Sequence, residues 1–166
     1  MPQPETVYLL FGSNLGNRPG HIRKAIDKVK QRVGEPFTLS SLYETEPWGF
    51  NHETPFLNQA AGLYTLASPH ALLQELICIE QESGRFRKEG NYEARTLDID
   101  ILFYGRDIIC RDNLVIPHPR ICERRFVLVP LEEIAPDFIH PVWNKSIHNL
   151  LKKCQDPSWV RNFPEC

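Results

Sequence analysis

Two aspartates, Asp98 and Asp100, stand two residues apart in the stretch RTLDIDILFYG. Aspartate is depleted in strands, yet Leu97, Ile99, Ile101 and Phe103 alternate with these acids as a half-buried strand requires. A period of two puts those four apolar residues on one face, toward packed helices, and Thr96, Asp98 and Asp100 on the other. The strand rise sets the two acids about 6–7 Å apart, pointing the same way. Two ionised carboxylates that close repel, and burial would raise the pKa of at least one. A divalent cation removes the conflict. Hard oxygen ligands suit Mg²⁺, which commonly takes one or two carboxylates and completes its shell with water and phosphate. A solvated strand face carrying two acids is the competing reading, and D-x-D alone does not separate the two.

The neighbouring charges favour the metal. Arg85, Arg87, Lys88 and Arg95 precede the strand, and His118, Arg120, Arg124 and Arg125 follow it. Arg85 and Arg87 come after Gly84, which ends a helix, so they belong to a loop. Guanidinium forks grip phosphate oxygens in pairs. Each arginine alone reads as a surface charge. Acids bracketed by two basic loops suggest a nucleotide polyphosphate with Mg²⁺. There is no G-x-x-x-x-G-K-[ST] phosphate loop, no G-x-G-x-x-G and no protein-kinase signature set; GSNLGN near the start reads as a tight turn. A second group is aromatic. Trp48, Phe50 and Phe56, with Tyr92 from the basic loop, could sandwich a planar heterocycle, and Asn58 could read its hydrogen-bonding edge. Each alone also reads as core or turn.

These residues need a frame. Val7–Phe11 is a short apolar run that reads as a buried strand. Asn17 and Pro19 start a helix with Ile22, Ile26, Val29 and Val33 on one face, and Gly34 closes it. FTLSSLYET reads as a second strand, residues 46–55 as a loop, and Phe56–Leu66 as a third strand. Ser68 and Pro69 start a second helix with Leu72, Leu73, Leu76, Ile77 and Ile79 inward, ended by Gly84. The aspartate strand follows a basic loop. The order β-α-β-β-α-β predicts an α+β, ferredoxin-like fold: an antiparallel sheet with helices on one face. About sixty residues extend it, with an apolar segment at 126–135 and a late helix around Ile147, Leu150 and Leu151. Residues 150–166 read as either a packed or a frayed tail.

At 166 residues the chain is expected to be a single domain over 1–166. A net charge of −2 gives no pull toward nucleic acid or an anionic membrane. Nothing approaches 18 consecutive apolar residues, and the N-terminus lacks a signal-peptide pattern. Five scattered cysteines without C-x-x-C argue against disulfides or structural zinc and fit a reducing, cytoplasmic setting.

GSNLGN, YETEPWG, FLNQA, IEQESGRFR, RTLDIDILFYG and IPHPRICERRF occur in an order and spacing that resemble the 6-hydroxymethyl-7,8-dihydropterin pyrophosphokinases of folate biosynthesis, from about residue 7 to about residue 150. The R-T-L-D-I-D block with P-H-P-R downstream is highly specific in combination. The resemblance implies that pyrophosphate passes from ATP to the pterin hydroxymethyl group and that AMP is released. It implies two Mg²⁺ ions held by Asp98 and Asp100, and catalytic arginines at Arg85 and Arg95. It assigns Glu80, Arg87, Tyr92, Ile101, His118 and Arg124 to ATP, and Thr45, Trp48, Phe56, Asn58 and Phe126 to the pterin. It leans toward a monomer, and toward loops at 46–55 and 84–95 that close over the substrates. Five positions depart from the common pattern: Glu93-Ala94 stand where Gly-Pro is frequent, Tyr92 where tryptophan is, Phe56 where tyrosine is, and Ile77 where glutamine sometimes binds nucleotide. These bear on affinity and loop motion. A non-catalytic nucleotide-binding module and a metal-dependent nuclease are the alternatives. The first does not need the Asp pair, Arg85, Arg95 and His118 together; the second needs a broad basic surface.

Overall fold

The computed structural model describes residues 2–46, 54–84 and 96–164. Its elements are β1 (Glu5–Ser13), α1 (Arg18–Arg32), β2 (Pro36–Leu39), β3 (Tyr43–Thr45), β4 (Phe56–Thr65), α2 (Pro69–Glu82), β5 (Asp98–Tyr104), β6 (Ile109–Arg111), β7 (Leu114–Ile116), a 3₁₀ turn at Ile121–Glu123, α3 (Arg125–Ile134), α4 (Ile147–Lys153) and β8 (Val160–Asn162). The main sheet runs β5-β1-β4-β3-β8, with β2 also paired to β4. Every pairing in it is antiparallel. This is a mixed helix and antiparallel-sheet fold.

Local signals account for both long helices. The Asn17 side chain accepts the Gly20 N–H at 3.2 Å and Pro19 sits in the first turn of α1. Ser68 caps α2 in the same way, through the Ala71 N–H, ahead of Pro69. Gly84, at φ +94°, follows α2 in the left-handed conformation. Gly34 closes α1 as expected, its N–H donating to the Val29 carbonyl at 3.0 Å, and it also serves packing. A Cβ there would lie 2.1 Å from the Tyr64 carbonyl oxygen, so glycine lets the end of α1 press against β4.

β1 is buried from Val7 to Ser13, on both faces. Val7, Leu9 and Phe11 join Leu57, Leu63, Leu97, Ile99 and Ile101 in a core under α1 and α2, with Ile22, Val29, Leu72, Leu76 and Ile79. Tyr8 and Leu10 face the other way, into a second core with Leu102, Phe103, Val127, Leu128, Leu131, Ile147 and Leu150. Each fully buried Leu, Ile or Phe contributes about 1.5–3 kcal/mol by leaving water.

The helices therefore cover both faces, not one: α1 and α2 lie on the first, α3 and α4 from the extension on the second. Two further expectations change, and one open reading is decided. The second strand is split into β2 and β3, both on β4. At the break Ser40 turns inward, its Oγ accepting the Ala60 N–H at 2.9 Å and its own N–H reaching the Ala60 carbonyl at 2.9 Å. Phe103 does not share a face with Ile101. Leu9 pairs with Ile101 but Tyr8 with Phe103, so Leu102 is one residue too many and the alternation flips there. Finally, the tail is packed, with β8 lying against β3.

Candidate active site

The site begins as one row across four strands. Gly12 pairs with Asp98 on one side and Asn58 on the other, and Asn58 pairs with Tyr43. These residues share the sheet face that α3 and α4 cover farther along. The adjacent row, Asp100–Leu10–Ala60, passes from the second acid into apolar packing. Asp98 and Asp100 are half-buried and share a face, as the alternation predicts. Strand spacing places Asp98 and Asn58 about 10 Å apart across Gly12.

Gly12 makes that span usable. A Cβ there would lie 3.0 Å from Asn58 Oδ1. Asn58 is 3% exposed and its Nδ2 donates to Thr45 Oγ1 at 3.1 Å, which fixes the direction of its amide. Beside it Phe56 pairs with Thr45 and is half-buried. Thr45, Phe56 and Asn58 thus stand together, with an oriented amide edge and a ring.

The acids are held from below. Glu80, buried near the end of α2, accepts the Ile99 N–H at 2.8 Å. That bond pins the residue between the two aspartates. Ile101 sends its side chain into the α1–α2 core, leaving its main chain as the part that could meet a nucleotide. His118 is tied to the same strand, its N–H donating to the Leu102 carbonyl at 3.1 Å. Burial pushes its imidazole down to about 4; the Arg124 cation acts in the same direction and Asp98 opposes it. His118 is therefore neutral at pH 7. Its Nδ1 accepts the Arg120 N–H at 3.3 Å, which assigns the proton to Nε2. It offers an N–H donor near the acids without adding charge.

The N-terminus of α3 completes the described part. Arg124 is 8% exposed and its guanidinium lies 5.5 Å from the centre of the Phe126 ring. Phe126 is partly buried against the second core. Trp48, Arg85, Arg87, Tyr92 and Arg95 lie outside the described residues. Asp98 and Asp100 are hard oxygen donors on one face, and among the described residues no cluster of three or more His, Cys, Asp or Glu could hold a metal without other ligands. That donor set fits an ion which draws the rest of its shell from water and phosphate.

The comparisons decide the family. The family described as 7,8-dihydro-6-hydroxymethylpterin-pyrophosphokinase (HPPK) matches residues 8–136. A 2-amino-4-hydroxy-6-hydroxymethyldihydropteridine pyrophosphokinase of Porphyromonas gingivalis is 42% identical over 138 residues, covering 81% of this chain and 93% of its own. The chain belongs to the HPPK family. The folic acid synthesis protein fol1 of Pneumocystis carinii is 43% identical over 152 residues, and this chain, 92% covered, spans only 20% of that longer protein. Among solved structures, wild-type HPPK-DHPS of Plasmodium falciparum superposes with a TM-score of 0.74 at 16% identity, covering 91% of this chain and 45% of that one. At that identity the likeness speaks for the fold alone.

Thr45, Phe56, Asn58, Asp98 and Asp100 share one sheet face, while Glu80 and the Ile101 side chain lie behind it. Sequence reasoning overlooked Gly12, treated as part of a turn, although it is a strand residue between Asn58 and Asp98. Its signal was available: a glycine ending a continuous apolar strand marks a close approach.

Proposed function

We propose that this chain transfers the pyrophosphoryl group of ATP to the hydroxymethyl group of 6-hydroxymethyl-7,8-dihydropterin, releasing AMP, in folate biosynthesis. The row Asp98–Gly12–Asn58 carries the reading. An amide fixed to read a heterocycle's edge stands one open glycine away from the acids. A bicyclic ring held by Asn58 and Thr45, beside Phe56 and Phe126, would carry its side arm over Gly12 toward Asp98; Trp48 takes its pterin role from the family resemblance alone.

Asp98 and Asp100 are the proposed ligands of two Mg²⁺ ions, which when bound neutralise phosphate charge and lower the pKa of the attacking hydroxyl. Glu80 keeps the two carboxylates aligned by holding the Ile99 N–H. His118, through Nε2–H, and Arg124 hold phosphate oxygens, with Ile101 and the Glu80 side of the strand framing the nucleotide. Arg85, Arg87, Tyr92 and Arg95 take their nucleotide and catalytic roles from the family resemblance. Positioning and charge compensation carry this chemistry, with little covalent work for the protein. The frame is proposed as ferredoxin-like, from the β-α-β-β-α-β order with its second strand split. The protein is proposed to act as a cytoplasmic monomer; among the described residues no helix is long and apolar enough to cross a membrane.

Product analysis tests the reading. With ATP, Mg²⁺ and the pterin, AMP and a pterin diphosphate should form one for one. ADP in place of AMP would reject pyrophosphoryl transfer. Bound ATP with no pterin-dependent turnover would favour a binding module.

A further inference from the structure

The end of the chain touches the candidate ring pocket from two sides. On one side, Asp156 Oδ2 accepts the Arg125 N–H at 2.9 Å, and Oδ1 accepts the Ser158 N–H at 2.9 Å. α3 has no capping side chain of its own at Arg124. Asp156 supplies an acceptor and a negative charge to its first turn, from 31 residues away in sequence. Arg124 and Phe126 flank that contact.

On the other side, β8 pairs with β3, setting Val160 opposite Thr45 and Arg161 opposite Glu44. The Arg161 fork meets Glu44 Oε1 at 2.6 and 3.1 Å. Glu44 Oε2 takes Arg18 Nη1 at 3.0 Å, and the same nitrogen donates to the Pro55 carbonyl at 2.9 Å. Pro55 immediately precedes Phe56. The Trp159 N–H donates to Glu46 Oε1 at 3.0 Å, one residue beyond Thr45. The Phe163 N–H reaches the Leu42 carbonyl at 2.8 Å, and Arg18 stacks 5.4 Å from the Phe163 ring centre.

Covering a sheet edge would explain the β8–β3 pairing. It does not explain why the same eight-residue stretch caps α3, or why Glu44 is bridged through Arg18 to the start of β4. The contacts share one geometric property. One end grips the wall bearing Arg124 and Phe126, and the other grips the wall bearing Thr45, Phe56 and Asn58.

We infer that residues 156–163 form a strap that sets the spacing between the two walls of the pterin pocket, with Asp156 and Arg161 as positioning residues. The inference rests on the assignment of Thr45, Phe56, Asn58 and Phe126 to the pterin. The strap touches neither substrate. It acts by holding a preformed gap, so loss of its Arg161 end is read in pterin binding while ATP binding is spared, and loss of its Asp156 end, beside Arg124, is read mainly in pterin binding and more weakly in ATP binding.

The test is steady-state kinetics on the full chain with each substrate varied in turn, beside urea unfolding. Asp156→Ala and Arg161→Ala are each expected to raise the pterin KM about fivefold or more, with the ATP KM changed by less than about twofold in Arg161→Ala and by less than the pterin KM in Asp156→Ala. Arg161→Lys, which keeps the charge beside Glu44, should recover part of the loss. The Arg161 side chain is 67% exposed, so its removal leaves no buried hole. Should Asp156→Ala fail to fold, Asp156→Asn and the Arg161 pair carry the test. Asn58→Ala serves as the control for the pocket. If it raises the pterin KM and the strap variants do not, the strap is wrong and the pocket stands. If it leaves the pterin KM unchanged, the pocket assignment fails and the strap falls with it. Pterin and ATP KM rising together in Arg161→Ala, with lost stability, would show a structural tail and overturn the inference.

Discussion

The two faces of the central sheet are made by the same strands and do opposite work. Toward α1 and α2, β1 presents Val7, Leu9 and Phe11, all fully buried among aliphatic neighbours. Toward α3 and α4, β1 presents Tyr8 and Leu10 to a second core and then Gly12 to a row of polar residues. One face is apolar along β1 through Phe11, with Ser13 after it. The other is apolar for two rows and then changes to Asp, Gly and Asn. Because side chains alternate, a buried anchor and a reactive group can be neighbours in sequence without being neighbours in space. The sheet thus places acids within one residue of a closed core, which holds them still without burying them.

Substitutions on opposite faces should separate those roles. Asp98→Asn removes a charge from a half-buried group without changing its volume. It is expected to cut kcat by about a thousandfold or more, in the range seen when one charge-stabilising group is lost, with unfolding nearly unchanged. Phe11→Ala is expected to cost about 3–5 kcal/mol of stability in urea titration, because Phe11 has no exposed surface and its site cannot easily collapse. The folded fraction of Phe11→Ala should keep near-normal KM values. A fully active Asp98→Asn would remove the metal assignment, and a stable Phe11→Ala would mean the first core is looser than its burial indicates.

Gly12 lies where the two uses meet, and Gly12→Ala probes the boundary. The added methyl group meets Asn58 Oδ1 at 3.0 Å, and Asn58 is already bonded to Thr45. The asparagine must turn or the strands must part by a few tenths of an ångström. The expected result is a rise of about tenfold in pterin KM, worth about 1.4 kcal/mol, with a smaller effect on stability. Paired measurements of KM and urea midpoint separate the two. An unchanged pterin KM would show that the space above Gly12 is not used.

The legible parts of the fold were those governed by local rules. The caps at Asn17 and Ser68, the two helix faces and the shared face of Asp98 and Asp100 all follow from short-range spacing. What escaped was set at long range. The flip at Leu102 needs one unpaired residue, chosen by β1 and carrying no glycine or other local marker. The helix α3 is obscured by Pro130 inside it, which reads as a break although the segment packs as one helix. β8 is three residues long and its partner lies more than a hundred residues earlier in the chain. Gly12 was misread for a related reason: GSN looks like a turn until β4 and β5 are seen to pair past it.

The smallest effect contrasts the rim of the sheet with its centre. Glu44 faces α1 on β3, a short strand between β4 and β8. Burial alone would raise its carboxyl, but hydrogen bonds from Arg161 and Arg18 outweigh that and hold it below the ordinary value of 4.5. Asp156 behaves alike, burial opposing and its bonds to Ser158 and the Arg125 N–H prevailing, below an ordinary 3.8. For both groups the unfolded chain binds protons more readily than the folded one. Their stabilisation is complete above the ordinary carboxylate range and is lost as pH falls through the lowered folded values. Their part of the urea midpoint should therefore hold steady from pH 7 to about pH 5 and decline below it, on top of a fall that begins near pH 6.5 because burial lowers the folded values of His118 and His140. Glu44→Gln should lower the midpoint at pH 7 by an amount worth about 1 kcal/mol, and should flatten the decline at lower pH because the titrating group is gone. Phe11→Ala, by contrast, should shift the whole profile down without changing its shape, since no apolar contact titrates. An acid decline of full depth in Glu44→Gln would mean that the ion cluster joining α1, β3 and β8 contributes nothing to holding the rim in place.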